Sequence, residues 1–377
     1  MTMVRTTWKN LVIPASLCFV AMMIPGSSRA AFGEPQEQAT DDAPRLVNGT
    51  RETQAVNGNL AATVQSVAEH SAKTEWIGYD VPPVAGEHSA CCGNYRDGAG
   101  CGTCRLESGN QGFSSNGNDS VKLEGGHRLA VLLRVDGHEV VRVQVASEDC
   151  TLDAGNLRFV WLTNVQASES VELLTGYVLG GHVDKREHDS LGGEALTAIA
   201  LHADPAADRA FAQFVAAQQP EELRKKASFW LGEARGAAGL VLLRTMAKSD
   251  ASTEVRAQVA FALSVSREPG ALDEMIRMAR DDQSGHVRGQ ALFWLAQKAG
   301  KKAVGAINDA IANDPETDVK KKAVFALSQL PKDEGVPKLI EVATTNRNAE
   351  VRKQAMFWLG QSNDPRALDF FEKVLTQ

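Results

Sequence analysis

The chain has 377 residues, 43% of them apolar and 23% charged, with a formal net charge of −7. That length allows two or three domains, and the composition is that of a soluble globular protein. The mild charge names no partner class. Residues 191–377 carry 25 Lys and Arg against 24 Asp and Glu, which is no footprint for a polyanion, so nucleic acid is not expected as a partner.

The first 30 residues read as a secretory signal. Arg5 and Lys9 form a basic start, Leu11 to Ile24 is an apolar run, and the stretch from Gly26 to Ala30 ends in a small-x-small pattern suited to signal peptidase. The run is too short for a stable membrane span, although an N-terminal anchor helix is the alternative. Cys18 lies inside the run after Leu17, so it does not read as a lipid attachment site. The mature protein is expected in the periplasm or secreted, where disulfides persist.

Residues 31–72 are rich in Ala, Gln, Glu, Asp, Thr and Asn and poor in large apolar side chains. They read as a flexible linker with a marginal helix around Leu60 to His70. Residues 73–180 read as a β-rich module. Leu129, Val131, Leu133 and Val135 alternate, Asp136-Gly137 is a hairpin turn, and Val141, Val143 and Val145 form the return strand. Trp76 to Tyr79 and Phe159 to Leu162 read as further strands, and a helix from about Ser168 to Leu179 closes the module.

This module holds Cys91, Cys92, Cys101, Cys104 and Cys150. In an exported chain disulfides are the default, and an odd count leaves one thiol over. The alternatives are a metal site built on Cys101-x-x-Cys104 with Cys91 or Cys92 and His88, or a redox pair. Arg105 follows Cys104 where covalent haem attachment would need His. No cofactor and no metal are expected.

From Leu191 the pattern becomes helical and periodic. Segments beginning at Leu191, Leu223, Val255, Val287, Val319 and Val351 superimpose at a period of 32. Each holds two helices, the second restarting at Leu240, Leu272, Val304, Val336 and Leu368. Six such units predict an α-solenoid with a right-handed superhelix, roughly 50–60 Å long. The motif D-x-x-x-x-V-R appears as Asp250 to Arg256 and Asp282 to Arg288, with variants at Asp314 to Lys320 and Asn346 to Arg352. On this motif residues 191–377 resemble HEAT repeats, in particular the short repeats of phycocyanobilin-lyase-like proteins and deoxyhypusine hydroxylase. Residues 31–190 loosely resemble the N-terminal part of exported bacterial HEAT-repeat proteins.

The resemblance implies a fold and says little of function. It implies that Arg224, Arg256, Arg288, Lys320 and Arg352 join the Asp residues in a hydrogen-bonded ladder. It does not carry over hydroxylase chemistry. The His-Glu pairs that ligate iron in that enzyme are here Lys225-Lys226, Ala257-Gln258, Gly289-Gln290, Lys321-Lys322 and Lys353-Gln354. Bilin-lyase activity does not fit an exported chain.

With each repeat counted from its opening Val or Leu as zero, positions 0, 4, 7, 8 and 11 share one face. Trp and Ala alternate at position 7 (Trp230, Ala262, Trp294, Ala326, Trp358), as large and small core residues do in stacked layers. Position 6 is Phe in five repeats: Phe229, Phe261, Phe293, Phe325 and Phe357. It lies about 150° or more from the core stripe, at a position usually polar in the family, where the first helix lines the concave surface. Position 2 brings Lys225, Lys321 and Lys353 one turn away, and position 9 is always small. The phenylalanines are either packed sideways between repeats or form, with the three lysines, a row that binds another protein or peptide. The last repeat, with Phe370 and Phe371, is expected to self-associate or dock on a partner. The leading reading is a non-enzymatic, exported interaction scaffold. The alternative is a metal-dependent or redox enzyme centred on the cysteines.

Overall fold

The computed structural model describes residues 43–85, 90–91, 94–95, 100–101, 103–107, 121–122, 127–180 and 190–376. The proposed signal sequence, and much of the cysteine-rich segment with Cys92 and His88, lie outside them. The side chains of Cys91 and Cys101 also lie outside the description.

The chain enters as strand β1 (Leu46–Ala55), helix α1 (Leu60–His70) and strand β2 (Glu75–Val81). The linker expected over residues 31–72 is therefore, from Leu46 on, part of the fold. Its composition misleads for a physical reason. β1 is an edge strand whose Asn48 to Gln54 are exposed, so it carries polar residues on both faces. α1 is amphipathic, capped by the Asn59 side chain, and buries Leu60, Val64, Val67 and Ala68.

Five two-residue strands follow: β3 (Ala90–Cys91), β4 (Asn94–Tyr95), β5 (Gly100–Cys101), β6 (Cys104–Arg105) and β7 (Val121–Lys122). Then come the long strands β8 (Leu129–Asp136), β9 (Glu139–Ser147) and β10 (Leu152–Thr163), and helix α2 (Ala167–Gly180). The main sheet runs β1-β10-β2-β8-β9, with β6 joined to β10. β1, β10 and β2 are parallel, while β2, β8 and β9 are antiparallel. The hairpin between β8 and β9 turns through Gly137 and His138, both at positive φ, the geometry that matches strand twist.

Its two faces have different covers. One packs Ile77, Tyr79, Val131, Leu133, Val143 and Val160 against α1, α2 and the first helix of the array. The other holds a separate core of Trp76, Cys104, Leu106, Leu132, Cys150, Leu152, Phe159 and Trp161. Both cysteines there are fully buried and disulfide-bonded. Gly78 lies between these layers because any side chain would strike the Phe159 and Trp161 rings. The module is thus a β-rich mixed sheet faced with helices on one side, and α1 and α2 fall where the sequence placed a helix.

Six helix pairs follow: α3 (Leu191–Ala200) and α4 (Pro205–Phe214), α5 (Glu221–Ala234) and α6 (Gly236–Ser249), α7 (Thr253–Val265) and α8 (Ala271–Asp281), α9 (Gly285–Ala299) and α10 (Val304–Asn313), α11 (Thr317–Ser328) and α12 (Lys332–Thr345), α13 (Ala349–Gln361) and α14 (Pro365–Leu375). These are the six expected units. No helix among the described residues is long and apolar enough to cross a membrane.

Sheet and array are not separate bodies. Asp42 to Gln377 is one compact unit, and a single apolar core runs from Val56 through the sheet to Ala367. α3 lies on β9, where the Val143 amide donates to Glu194 Oε2 at 2.8 Å. The module therefore closes the first end of the solenoid, which a terminal repeat requires. At the far end α14 leaves Leu368, Val374 and Leu375 exposed.

Candidate functional site: the concave face of the array

The first helices of successive repeats pack closely on one another, α5 on α7, α7 on α9, α9 on α11 and α11 on α13. The second helices are splayed by comparison. The array therefore curves with the first helices on its inner side.

Layer spacing is held by the predicted ladder, with one difference. Each Arg reaches the Asp 26 residues later, at the end of its own repeat, rather than the side chain six residues earlier. Arg256 donates to both oxygens of Asp282 at 2.9 and 3.1 Å, and Arg288 to both of Asp314 at 2.7 and 3.0 Å. Arg224 binds Asp250 in the same way. The six-residue spacing serves the backbone: Arg256 Nη1 donates to the Asp250 carbonyl and Arg288 Nη1 to the Asp282 carbonyl, both at 2.8 Å. Asp250 and Asp282 are thus each gripped by two arginines, and Oδ1 of Asp250, Asp282 and Asp314 also accepts the amide two residues on. Fork-to-carboxylate pairing of this kind is geometrically selective. The ladder changes at Lys320, which donates instead to the Ala312 carbonyl, and at Asn346, whose carbonyl accepts from Arg352. The basic row is therefore an internal brace.

The aromatic residues form one connected strip. Phe229 stacks on Phe261 with centroids 5.9 Å apart and planes 13° apart, and Phe293 stacks on Phe325 at 5.9 Å and 4°. Phe261 then meets Trp294 at 4.7 Å, and Phe325 meets Trp358 at 4.8 Å. Within a repeat, Phe229 touches Trp230, Phe293 touches Trp294 and Phe357 touches Trp358, edge to face. The strip crosses every layer from α5 to α13.

Two expectations need correcting. Trp230, Trp294 and Trp358 are half-buried, not core. The buried stripe is positions 0, 1, 4, 5 and 8, as in Val255, Arg256, Val259, Ala260 and Leu263; position 7 joins it where it is Ala262 or Ala326, both fully buried, but not where it is Trp. The tryptophans lean onto the aromatic strip instead. Position 9, small throughout, is not a uniform open face: it is open at Gly360 and closed at Gly232. At Gly232 a Cβ would lie 2.0 Å from the Ala262 carbonyl, so α5 and α7 touch there through backbone.

The phenylalanines answer to both readings. They pack between repeats, yet Phe229, Phe261, Phe293 and Phe325 stay half-buried and Phe357 is 54% exposed. Two of the three lysines are engaged: Lys225 Nζ lies 3.1 Å from Glu222, and Lys321 Nζ 3.3 Å from Asp318. Lys353 is exposed. An acidic row that sequence reasoning missed (Glu222, Glu254, Asp318, Glu350) runs beside them. Its signal was available as position −1 of the same repeat.

Glutamines flank the strip. Gln258, Gln290 and Gln354 occupy position 3, and Gln297, Gln329 and Gln361 occupy position 10, one turn to either side of the rings. A cleft lies at each end. One, of 360 Å³, is lined by Leu196, Glu222, Lys225, Phe229, Trp230 and Gln258 among others. The other, of 230 Å³, includes Leu330, Leu339, Gln329, Trp358 and Gln361.

A second polar feature was not legible in the sequence. Tyr79, Ser170 and His202 are fully buried where β2, α2 and the end of α3 meet. The Tyr79 hydroxyl lies 2.9 Å from Ser170 Oγ, which lies 2.9 Å from His202 Nε2, and His202 Nδ1 lies 2.7 Å from the Ala198 carbonyl. A neutral imidazole that donates from Nδ1 and accepts at Nε2 satisfies the chain. Burial keeps His202 neutral, with its pKa lowered to about 4, and pushes the Tyr79 hydroxyl up. Arg235 closes the junction, bonded to Asp208 and to the Ala200 and His202 carbonyls. Three residues 91 and 32 positions apart leave no motif. Among the described residues no group of three or more His, Cys, Asp or Glu is arranged to hold a metal.

The HEAT-repeat family matches residues 209–296 and 305–377. No curated protein matches the chain. Among solved structures, the chain is similar to the CpcE–CpcF complex of phycocyanin lyase from Nostoc. Identity is 25% and the TM-score 0.31, over 41% of this chain and 99% of that one. It is also similar to human deoxyhypusine hydroxylase, at 16% identity and a TM-score of 0.28, over 55% of this chain and 90% of that one. The paired helices at a constant period, their Arg–Asp ladder and the family match make residues 209–296 and 305–377 HEAT repeats.

Proposed function

We propose that the chain is an exported scaffold that binds another protein along the concave aromatic strip. The observation that carries this reading is the connected row of rings from Phe229 to Phe357, half-buried by its own contacts and still open to solvent. Packing alone would be satisfied by aliphatic side chains. An aromatic row with polar flanks matches the composition of protein interfaces, where aromatic anchors carry much of the binding energy. HEAT arrays supply long, curved surfaces of this kind. Export rests on residues 1–30, and a disulfide-stapled module suits an oxidising compartment. The metal or redox reading rests on Cys101 and Cys104 with Cys91 or Cys92 and His88; Cys104 is disulfide-bonded, and the side chains of the others lie outside the described residues.

The test is affinity capture from the periplasmic fraction with wild type and with Phe357→Ser, chosen because the exposed ring can be removed without unfolding the array. Loss of a reproducible partner in a variant with an unchanged melt supports the reading. Equal capture by both proteins places the binding surface elsewhere. N-terminal sequencing of the exported protein tests removal of the signal near Ala30.

A further inference from the structure

The last layer carries apolar residues where earlier layers cover them with the next one. In α6, α8, α10 and α12, repeat position 17 is Leu240, Leu272, Val304 and Val336, and position 24 is Ala247, Ala279, Ile311 and Ala343, all buried or half-buried. Their counterparts on α14, Leu368 and Leu375, are 65% and 84% exposed. Phe357 on α13 is in the same state. Each earlier phenylalanine of the strip meets a ring of the following layer. Among the described residues Phe357 meets one ring, that of its own Trp358.

The ladder is open here too. Arg352 Nη1 donates to the Asn346 and Arg347 carbonyls at 2.8 and 3.1 Å, as Arg256 Nη1 does to those of Asp250 and Ala251. The two guanidinium groups are thus held alike at one edge. The other edge of Arg256, Nε and Nη2, takes Asp282, the C-cap of α8. The C-cap of α14 is Thr376, and among the described residues no carboxylate pairs with that edge of Arg352. A fork held at one edge and open at the other is a ready receptor for a carboxylate.

The charges of this face indicate what covers it. Position 21 lies between positions 17 and 24 on one side of the helix. It is Arg244, Ile276, Asn308 and Ile340 in the earlier repeats and Glu372 in the last. Glu372 therefore stands between the two exposed leucines, and among the described residues its carboxylate has no cationic partner. An open cationic fork on one helix and an unpaired carboxylate on the other make a face that complements itself, as a closed two-fold interface requires. The heights agree as well. Three residues join α13 to α14, so the helices run antiparallel. Arg352 lies three residues into α13, and Glu372 three before the end of α14. From there Phe357 is five residues on and Leu368 four back, steps of about 7.5 and 6 Å along the helices. A two-fold axis along the helix pair lays α13 of one copy on α14 of the other. It brings Arg352 to Glu372 and Phe357 to Leu368 at once.

We propose that a second copy of this chain covers the face, in a two-fold, end-to-end dimer through α13 and α14. Arg352 of each copy pairs with Glu372 of the other about a core of Phe357, Leu368 and Leu375. The experiment is sedimentation equilibrium of the full chain over a range of concentrations. Wild type is expected to follow a monomer–dimer equilibrium. Arg352→Glu and Glu372→Arg, each of which sets like charges together, are each expected to weaken the dimer by about tenfold or more, and the double variant to restore it. Leu375→Asp is expected to leave a monomer. Circular dichroism checks that each variant is folded, and should Arg352→Glu not fold, Glu372→Arg and Leu375→Asp carry the test. A monomer at every concentration, an open series of higher oligomers, or a double variant no better than the single ones overturns the proposal. Dimerisation is independent of what the strip binds, and the charge swap leaves the rings in place.

Discussion

The strip makes a quantitative demand on two chemically identical substitutions. Phe261 sits mid-array between the Phe229 and Trp294 rings, whereas Phe357 meets, among the described residues, one aromatic ring, that of its neighbour Trp358, and is 54% exposed. Truncating a fully buried Phe to Ala costs about 3–5 kcal/mol. Phe261 is half-buried, which reduces that figure, but it also loses two ring contacts of about 0.5–1.5 kcal/mol each. Phe261→Ala is therefore expected to cost about 2–3 kcal/mol. Phe357→Ala loses one edge contact and little buried area, so about 1 kcal/mol or less is expected. Guanidinium unfolding followed by far-UV circular dichroism measures both, with the slope checked for constancy so that the midpoint shift reports stability. Near-UV dichroism of Trp294 should change for Phe261→Ala and stay close to wild type for Phe357→Ala. If Phe261→Ala is no more costly than Phe357→Ala, the rings do not hold the layers together, and the argument that they serve packing and surface at once fails.

Asp282→Ala leaves Arg256 buried without its carboxylate and is expected to cost about 3–5 kcal/mol in the same unfolding assay. Arg256→Lys should not restore wild-type stability, because an ammonium cannot span both oxygens. Gly232→Ala drives a methyl into the Ala262 carbonyl and should lower the melting temperature clearly, while Gly360→Ala, with open space around it, should be neutral or stabilise by up to about 1 kcal/mol. His202, with its folded pKa lowered to about 4, rejects a proton that the unfolded chain accepts near pH 6.5. Its penalty is absent above that pH and grows as pH falls, reaching about 2 kcal/mol by pH 5. His202→Gln should remove that component, and an unchanged pH dependence of unfolding would refute the assignment.

How much of this was legible in the sequence depended on repetition. The six helix pairs could be read because one pattern recurs at a fixed period, so each position is sampled several times. The strands β8 and β9 could be read because their alternation places Val131, Leu133, Val143 and Val145 on one buried face. β1 could not, since an edge strand with Thr50, Arg51 and Glu52 exposed on both sides has the composition of a linker. The tryptophans were misplaced for a subtler reason. Large residues alternating with Ala look like core layers, and Ala262 and Ala326 at position 7 are indeed fully buried, but buried Arg256 and Arg288 at position 1 put position 7 at the edge of the stripe, where the larger Trp side chains reach out of it. A charged residue is not expected to mark a core, and only the Asp 26 residues later makes its burial tolerable. The Tyr79–Ser170–His202 chain lies beyond any such reading, because it joins residues from a strand and two helices that only the tertiary fold brings together.

The same ladder bears on how the strip responds to a ligand. Bidentate Arg–Asp pairs brace the layers from Arg224 to Asp314, and the module clamps the first repeat through Glu194, His202 and Arg235. Beyond that point the pair is replaced by bonds to carbonyls, from Lys320 to Ala312 and from Arg352 to Asn346 and Arg347, and α14 leaves apolar residues uncovered. Local opening is easiest where buried contacts and paired hydrogen bonds are fewest, so the layers from α11 on, where the Arg–Asp pairing stops, are expected to open before those from α5 to α9. A rigid half fixes the register of whatever lies on it. A softer half can adjust its layer spacing to a ligand whose own period is not quite that of the helices, and the curvature of a solenoid, set by small rotations per repeat, lets such adjustments accumulate at the free end.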